Sequence, residues 1–158
     1  MRWKMQLVLM LLFSAPAAAY AQSGGILGQW EDPGGSVLAI VRCGKDVCIR
    51  IDAISPRAPA LTDIHNPDRS LRSRPLCGLE IGRGFQMTGD RQAQDGTLYD
   101  PKSGNTYHGQ MKMVGGELHL RGYIGFSIFG RTEIWRRPAG EVRACTADRQ
   151  TPGHSAGL

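Results

Sequence analysis

Tyr107-His-Gly-Gln-Met-Lys-Met-Val-Gly-Gly-Glu-Leu-His-Leu-Arg-Gly-Tyr123 decides the fold class of this chain. Tyr107, Gly109, Met111 and Met113 alternate with His108, Gln110 and Lys112. After Gly115-Gly116, Leu118, Leu120 and Gly122 alternate with His119, Arg121 and Tyr123. A period of two on both sides of a glycine pair predicts a β-hairpin. The same grammar extends outward. Ser36 to Cys43 is an apolar run bounded by Gly35 and Gly44, and Val47, Ile49 and Ile51 alternate with Cys48, Arg50 and Asp52. Leu79–Ile81, Phe85–Thr88 and Thr97–Tyr99 are candidate short strands, Asp100-Pro-Lys-Ser-Gly104 is a turn, and Thr132–Arg136 is the last strand. Ala53 to Arg74 carries Pro56, Pro59 and Pro67 and predicts a long irregular connection.

Composition agrees with an all-β chain. The 158 residues include 21 glycines, all after position 23, which suits tight turns and opposes long helices. With 41% hydrophobic and 21% charged residues the chain can bury one core, and it is too short for two well-cored domains.

Residues 1–21 read as a signal peptide. Arg2 and Lys4 precede the apolar stretch Met5–Phe13, and Ala19-Tyr-Ala21 supplies a cleavage site before Gln22. The apolar stretch is about half the length a membrane span needs, and no cysteine follows it before Cys43, which opposes a lipid anchor. The reading is therefore a signal peptide 1–21, a β-barrel domain 22–137 and a polar C-terminal tail 138–158, periplasmic or secreted. Cleavage removes two positive charges, so the formal charge falls from +5 to +3, which gives no case for nucleic-acid binding.

In an oxidising compartment the four cysteines read as two disulfides. Cys43-Gly-Lys-Asp-Val-Cys48 flanks a hairpin turn, so Cys43 and Cys48 are predicted to face each other and bridge, leaving Cys77 for Cys145. Paired metal-ligand spacing is absent, and no metal or cofactor is predicted.

About eight strands allow a sandwich or a closed antiparallel barrel. Gly28-x-Trp30 opens the first strand, while Arg131 and Arg136 flank Trp135 in the last. This resembles the signature of lipocalin-type barrels, which implies a small lipocalin-like closed barrel with Trp30 buried and Arg131 or Arg136 over its ring. A larger set of motifs occurs in order: Cys43-Gly-x-x-Val-Cys48, Asp63-x-x-Asn66-Pro67-Asp68, Arg74-Pro-Leu-Cys-Gly-Leu79, Tyr99-Asp-Pro-x-Ser-Gly-x-x-Tyr107, Arg121-Gly-Tyr-Ile-Gly125 and Gly130-Arg-Thr-x-x-Trp135. Together they resemble the bacterial exported family catalogued as domain of unknown function 2147, over roughly residues 26–137. The resemblance implies an exported β-rich domain and supplies no catalytic residue.

Three groups could carry chemistry. Asp63, Asn66 and Asp68 surround Pro67 and could hold a cation, but such residues usually fix their own loop backbone, and a structural role is predicted. Arg69, Arg72 and Arg74 follow and could grip an anion bidentately. Tyr107, Arg121, Tyr123 and Arg131, with Tyr99 beside them, either line a ligand cavity or knit the core. If Leu118 and Leu120 face inward, His119, Arg121 and Tyr123 face outward; the reverse assignment would line a polar lumen, and periodicity alone does not choose between them. The histidines (His65, His108, His119, His154) have no recognisable catalytic partners, and no nucleophile elbow or dinucleotide fingerprint is present. The leading expectation is a non-catalytic binding module for a small or envelope-derived ligand. The alternatives are an envelope hydrolase using paired carboxylates among Glu80, Glu117 and Glu133, and a structural or protein-interaction module.

Overall fold

The computed structural model describes residues 24–140 and 142–145. The signal-peptide reading, His154 and the tail beyond Cys145 lie outside the described residues. Eight strands follow in chain order: β1 (Gly28–Glu31), β2 (Val37–Cys43), β3 (Asp46–Ala53), β4 (Glu80–Met87), β5 (Gln92–Asp100), β6 (Asn105–Val114), β7 (Glu117–Tyr123) and β8 (Arg131–Trp135). Each pairs antiparallel with the next in a single sheet. Glu31 and Arg136 exchange two backbone hydrogen bonds, of 2.7 and 3.0 Å, and so join first strand to last. The result is a nearly closed lipocalin-like barrel, which leaves few unpaired edge groups.

The strand grammar explains most of the register. In β6 and β7 the buried set is Gly109, Met111, Leu118 and Leu120, while His108 and Lys112 are exposed. Two candidate strands, Leu79–Ile81 and Phe85–Thr88, prove to be one. Gly84 adopts φ +71°, bending β4 while it stays paired to β5, and register shifts against β3 absorb the bend. Likewise Thr97–Tyr99 is only the end of β5. Its first half escapes the alternation pattern because a register shift falls between Ala93 and Gly96, with Asp95 at φ +61°.

Connections alternate between two ends. The closed end carries the tight turns β2–β3, β4–β5 and β6–β7, crossed by the segment before β1, where Ile26 N–H donates to Asp90 O. The open end carries β1–β2, the long β3–β4 connection, β5–β6 and β7–β8. The long connection is irregular apart from the short 3-10 turn Arg69–Leu71.

The core comprises Ile26, Trp30, Leu38, Ile40, Val47, Ile49, Ile51, Phe85, Met111, Leu118 and Trp135 with their neighbours. Phe85 fits because Gly96 and Gly109 are register partners on β5 and β6. A Cβ on Gly109 would sit 2.8 Å from the ring, so the aromatic face lies directly on backbone.

Two disulfides, Cys43–Cys48 and Cys77–Cys145, are present. They fit an oxidising compartment. The first is not the facing pair the spacing suggests. Val41 stands opposite Cys48 and Cys43 opposite Asp46, so the bridge runs diagonally across a two-residue turn, Gly44-Lys45. Gly44 at φ +67° permits that tighter turn. The second bridge attaches the C-terminal segment, where Cys145 N–H also donates to Asp52 O.

The guanidinium over Trp30 belongs to Arg137, not to Arg131 or Arg136. Its Cζ lies 3.7 Å from the indole centroid. Arg131 faces the barrel interior at the mouth, and the Arg136 side chain pairs with Glu117 outside. The bridge to Glu31 fixes the Arg136 backbone, and the next residue is the one that turns over the first strand.

Candidate functional site

The open end leads into a cavity of about 700 Å³. Its inner wall is apolar. Leu38 and Ile51 come from β2 and β3, Ile81 from β4, Leu98 from β5, and Leu120 with Gly122 from β7. These are the inward positions of their strands, so the alternation that makes the core also makes the cavity wall. Polar groups gather near the mouth, including Tyr99, Tyr107, Tyr123, Lys102, Arg131 and Glu133. An apolar chamber with a few polar groups at one end is the usual construction of a small-molecule site.

The long β3–β4 connection forms part of the wall through Ile54, Ala58, Pro59, Ala60, Ile64 and Leu76. A buried network holds it in place. Asp63 has no exposed surface, and its carboxylate accepts hydrogen bonds from Tyr99 Oη (2.6 Å), Asn66 Nδ2 (2.7 Å) and Arg74 Nη2 (2.7 Å). Asn66 Oδ1 accepts from Asp68 N–H, and Asp68 Oδ1 accepts from Ser70 N–H, capping the short 3-10 turn. Gly104 lies against the His65 carbonyl, where a Cβ would collide, and this ties the connection to the β5–β6 turn.

Burial alone pushes the Asp63 carboxyl up, but hydrogen bonds from Tyr99, Asn66 and Arg74, with the Arg74 charge, hold it below its ordinary value. Burial pushes the Tyr99 hydroxyl up, and its bond to Asp63 and the negative charge of Asp63 carry it to about 12. Hydrogen bonds from the Ser70 hydroxyl and amide lower the Asp68 carboxyl. Among the described residues no cluster of His, Cys, Asp and Glu is arranged to hold a metal ion.

The predicted site residues therefore separate. Tyr107 and Arg131 line the cavity, and Tyr123 joins them at the rim although its strand parity is the outward one of Arg121: it ends β7, and its ring also lies 5.7 Å from that of the exposed His108. Arg121 does not line it. Leu118 and Leu120 face inward, so Arg121 lies on the outer face, where its Nε donates to Ser127 O (2.7 Å), Nη1 to Thr132 Oγ1 and Nη2 to Ile128 O. Arg69, Arg72 and Arg74 stand outside the cavity lining. Arg74 is bound to Asp63, and Arg72 Nε donates to Asn66 O. Trp135 is buried and lines the cavity floor, its Nε1 donating to Glu133 Oε2. Of the three glutamates considered for hydrolysis only Glu133 reaches the cavity; Glu80 and Glu117 pair with Arg83 and Arg136 outside it.

Comparison with known proteins gives the same frame. Residues 28–137 match the family described as an uncharacterised protein conserved in bacteria, domain of unknown function 2147. The chain belongs to this family. Among solved structures it is similar to protein HP1028 from the human pathogen Helicobacter pylori, described as belonging to the lipocalin family. The TM-score is 0.64 at 19% identity, over 72% of this chain and 82% of that one. At this identity the likeness speaks for the fold. No curated protein matches the chain.

On the structure, several motifs that placed the chain in the 2147 family occupy the frame around the cavity. Asp63, Asn66, Arg74 and Tyr99 make one network, while Gly28, Trp30 and Arg137 make another. What sequence reading missed is the apolar wall contributed by the connection, and the residues Ile124 and Phe129 at the mouth. The signal was present: Ile124-Gly-Phe-Ser-Ile-Phe-Gly130 is an apolar run where a polar loop is expected.

Proposed function

We propose that this chain is an exported, non-catalytic binding module that carries a small amphiphilic molecule of the cell envelope. Residues 1–21 act as the export signal, 22–137 form the carrier, and 138–158 are a tail attached through Cys145. The apolar part of the ligand lies against Leu38, Ile51, Ile81, Leu98 and Leu120. Its polar head group meets Arg131, Tyr107 and Tyr123. The observation that carries this reading is the cavity itself, about 700 Å³, apolar inside and polar at the mouth.

The test is titration with a fluorescent fatty acid such as cis-parinaric acid, alongside native mass spectrometry of protein purified from its own envelope. Gly122 lines the cavity, and a Cβ there would make ordinary contacts of 3.6–3.7 Å with Tyr107 and Leu98. Gly122→Leu should therefore fold and fill the chamber. Saturable one-to-one binding, weakened at least about tenfold by Gly122→Leu, is expected from the lost apolar contact. Absence of saturable binding, or equal affinity in the variant, overturns the proposal.

A further inference from the structure

Histidine aside, five acidic or basic side chains line the cavity: Asp32, Asp100, Lys102, Arg131 and Glu133. Three of them are committed within the chain. Lys102 Nζ lies 3.4 Å from Asp32 Oδ2, and Asp32 Oδ1 accepts from Ser36 N–H at 2.8 Å. Asp100 uses both carboxylate oxygens on its own turn, Oδ1 accepting from Lys102 N–H (3.0 Å) and Oδ2 from Ser103 Oγ (2.7 Å). These bonds hold the β1–β2 and β5–β6 turns. Two charges of opposite sign are left over.

Both belong to β8. Arg131 and Glu133 stand opposite Gly122 and Leu120 in the β7–β8 ladder, and all four line the cavity, so the two charged side chains share the inward face. Two strand residues separate their backbones by about 6.6 Å, close enough for long side chains to meet. Yet none of the ion pairs among the described residues joins them. Trp135, next along the same face, explains this. Its Nε1 donates to Glu133 Oε2 at 3.0 Å and draws the carboxylate toward the cavity floor, away from Arg131. Glu133 Oε1 and the Arg131 guanidinium have no partner among the described residues.

An opposite pair held apart suits a ligand that carries the complementary pair. A head group that fills the mouth takes water from both charges, and a charge left desolvated without a partner is costly. An anionic head group would answer Arg131 and oppose Glu133, and a cationic one would do the reverse. An uncharged one would answer neither. A zwitterion answers both, and the strand sets its direction. β8 descends from Arg131 at the mouth to Trp135 at the floor, so Glu133 is the deeper of the two charges.

We infer that the chamber selects an amphiphile with a zwitterionic head group whose ammonium sits next to the apolar chain, on Glu133, and whose oxyanion lies outermost, on Arg131. Guanidinium is well matched to a carboxylate or a phosphate oxyanion. This assignment rests on the binding reading above and adds to it the charge and the order of the head group.

The experiment is isothermal titration calorimetry with four dodecyl amphiphiles, each below its micelle concentration. Dodecyl sulfobetaine has the ammonium next to the chain, dodecylphosphocholine has the phosphate there, and dodecyl phosphate and dodecyltrimethylammonium carry one sign of charge. The sulfobetaine should bind about fivefold more tightly than each of the others, as expected for a partly exposed ion pair. Glu133→Gln keeps an oxygen for Trp135 and should bring dodecyl phosphate level with the sulfobetaine. Arg131→Gln should do the same for dodecyltrimethylammonium. Arg69→Gln and Glu80→Gln make the same changes in net charge outside the cavity lining and should leave the order of affinities unchanged. N-dodecylglycine and N-dodecylaminomethylphosphonate, which share the favoured order, then tell a carboxylate from a phosphoryl oxyanion by which binds more tightly.

Absence of saturable binding by every amphiphile overturns the carrier reading and this inference together. Saturable binding with equal affinities, or tightest binding by dodecylphosphocholine or by either singly charged probe, leaves the carrier reading standing and overturns the zwitterion assignment. An order of affinities unchanged in both Glu133→Gln and Arg131→Gln overturns it as well.

Discussion

Arg137→Ala is the substitution that tests how this barrel is closed. The guanidinium covers the fully buried Trp30 at 3.7 Å, and it donates to three carbonyls of the segment that enters β1: Gln29 O (3.0 Å), Gly25 O (2.8 Å) and Leu27 O (3.0 Å). Gly28 makes room for it, with φ +108° and an imagined Cβ only 2.8 Å from Arg137 Nη1. Hence the opening Gly28-x-Trp30 is a slot for an arginine that arrives from the far end of the chain. A cation over an indole contributes about 1 kcal/mol when partly desolvated. Three hydrogen bonds from a charged donor add several more, of which water recovers a share once the side chain is gone. The net loss for Arg137→Ala should be about 3 kcal/mol, or a fall of about 10 °C in melting temperature for a domain of this size. The assay is thermal and urea unfolding of Arg137→Ala beside Arg131→Ala and Arg136→Ala. Arg136 is solvent-exposed in its pair with Glu117 and should cost less than about 1 kcal/mol. A near-wild-type Arg137→Ala, with a large loss in either neighbour, would refute this account of closure.

Three other outcomes follow from the same geometry. Asp63→Asn should cost about 2 kcal/mol at neutral pH, because Arg74 loses its counterion. Asp63's folded pKa is lowered, so its contribution is complete above the ordinary value of 3.8 and is lost as pH falls through the folded value; urea curves of variant and wild type should converge in acid. Tyr99→Phe should show the mirror image in alkali: the contribution is complete below pH 10.0 and lost as pH rises through about 12, and ultraviolet titration of the variant should lack the latest tyrosine. Gly109→Ala should cost about 1–3 kcal/mol by pushing its methyl into Phe85, with unfolding by urea as the measurement.

The fold was legible because its decisive residues act locally. Met111, Leu118 and Leu120 declare by alternation that each strand has two distinct faces, though not which one is inward, and glycines such as Gly44 announce the turns. Legibility failed where backbone geometry departs from the simple period. Gly84 bends β4, and the shift at Asp95 and Gly96 hides half of β5, so short strands were visible where long ones exist. The arginine over Trp30 was placed one or six residues early because the bridge between Glu31 and Arg136 is a tertiary contact with no local signal.

The candidate site was less legible for a different reason. Tyr107, Tyr123 and Arg131 could be named as polar-tipped residues on strands, but whether a strand position meets a cavity or a packed core depends on what lies opposite it. In this barrel the lower half is filled by Phe85, Met111 and Trp30, while the upper half is left open under a connection that carries its own scaffold. Asp63 anchors that scaffold to β5 through Tyr99, and Gly104 admits its backbone at the β5–β6 turn. The polar residues most suggestive of chemistry in the sequence thus serve to hold a loop still. Holding it still is what keeps Ile54, Ala60, Ile64 and Leu76 at the wall, and a chamber whose wall does not collapse is the physical condition for taking up an apolar guest. Arg121 does the same for the opposite rim, where it straps the loop that carries Phe126 and Phe129. Two charged residues, Arg121 on β7 and Asp63 on the long β3–β4 connection, therefore fix the two lips of one mouth, and the apolar surface between them is the part of the molecule free to meet a ligand.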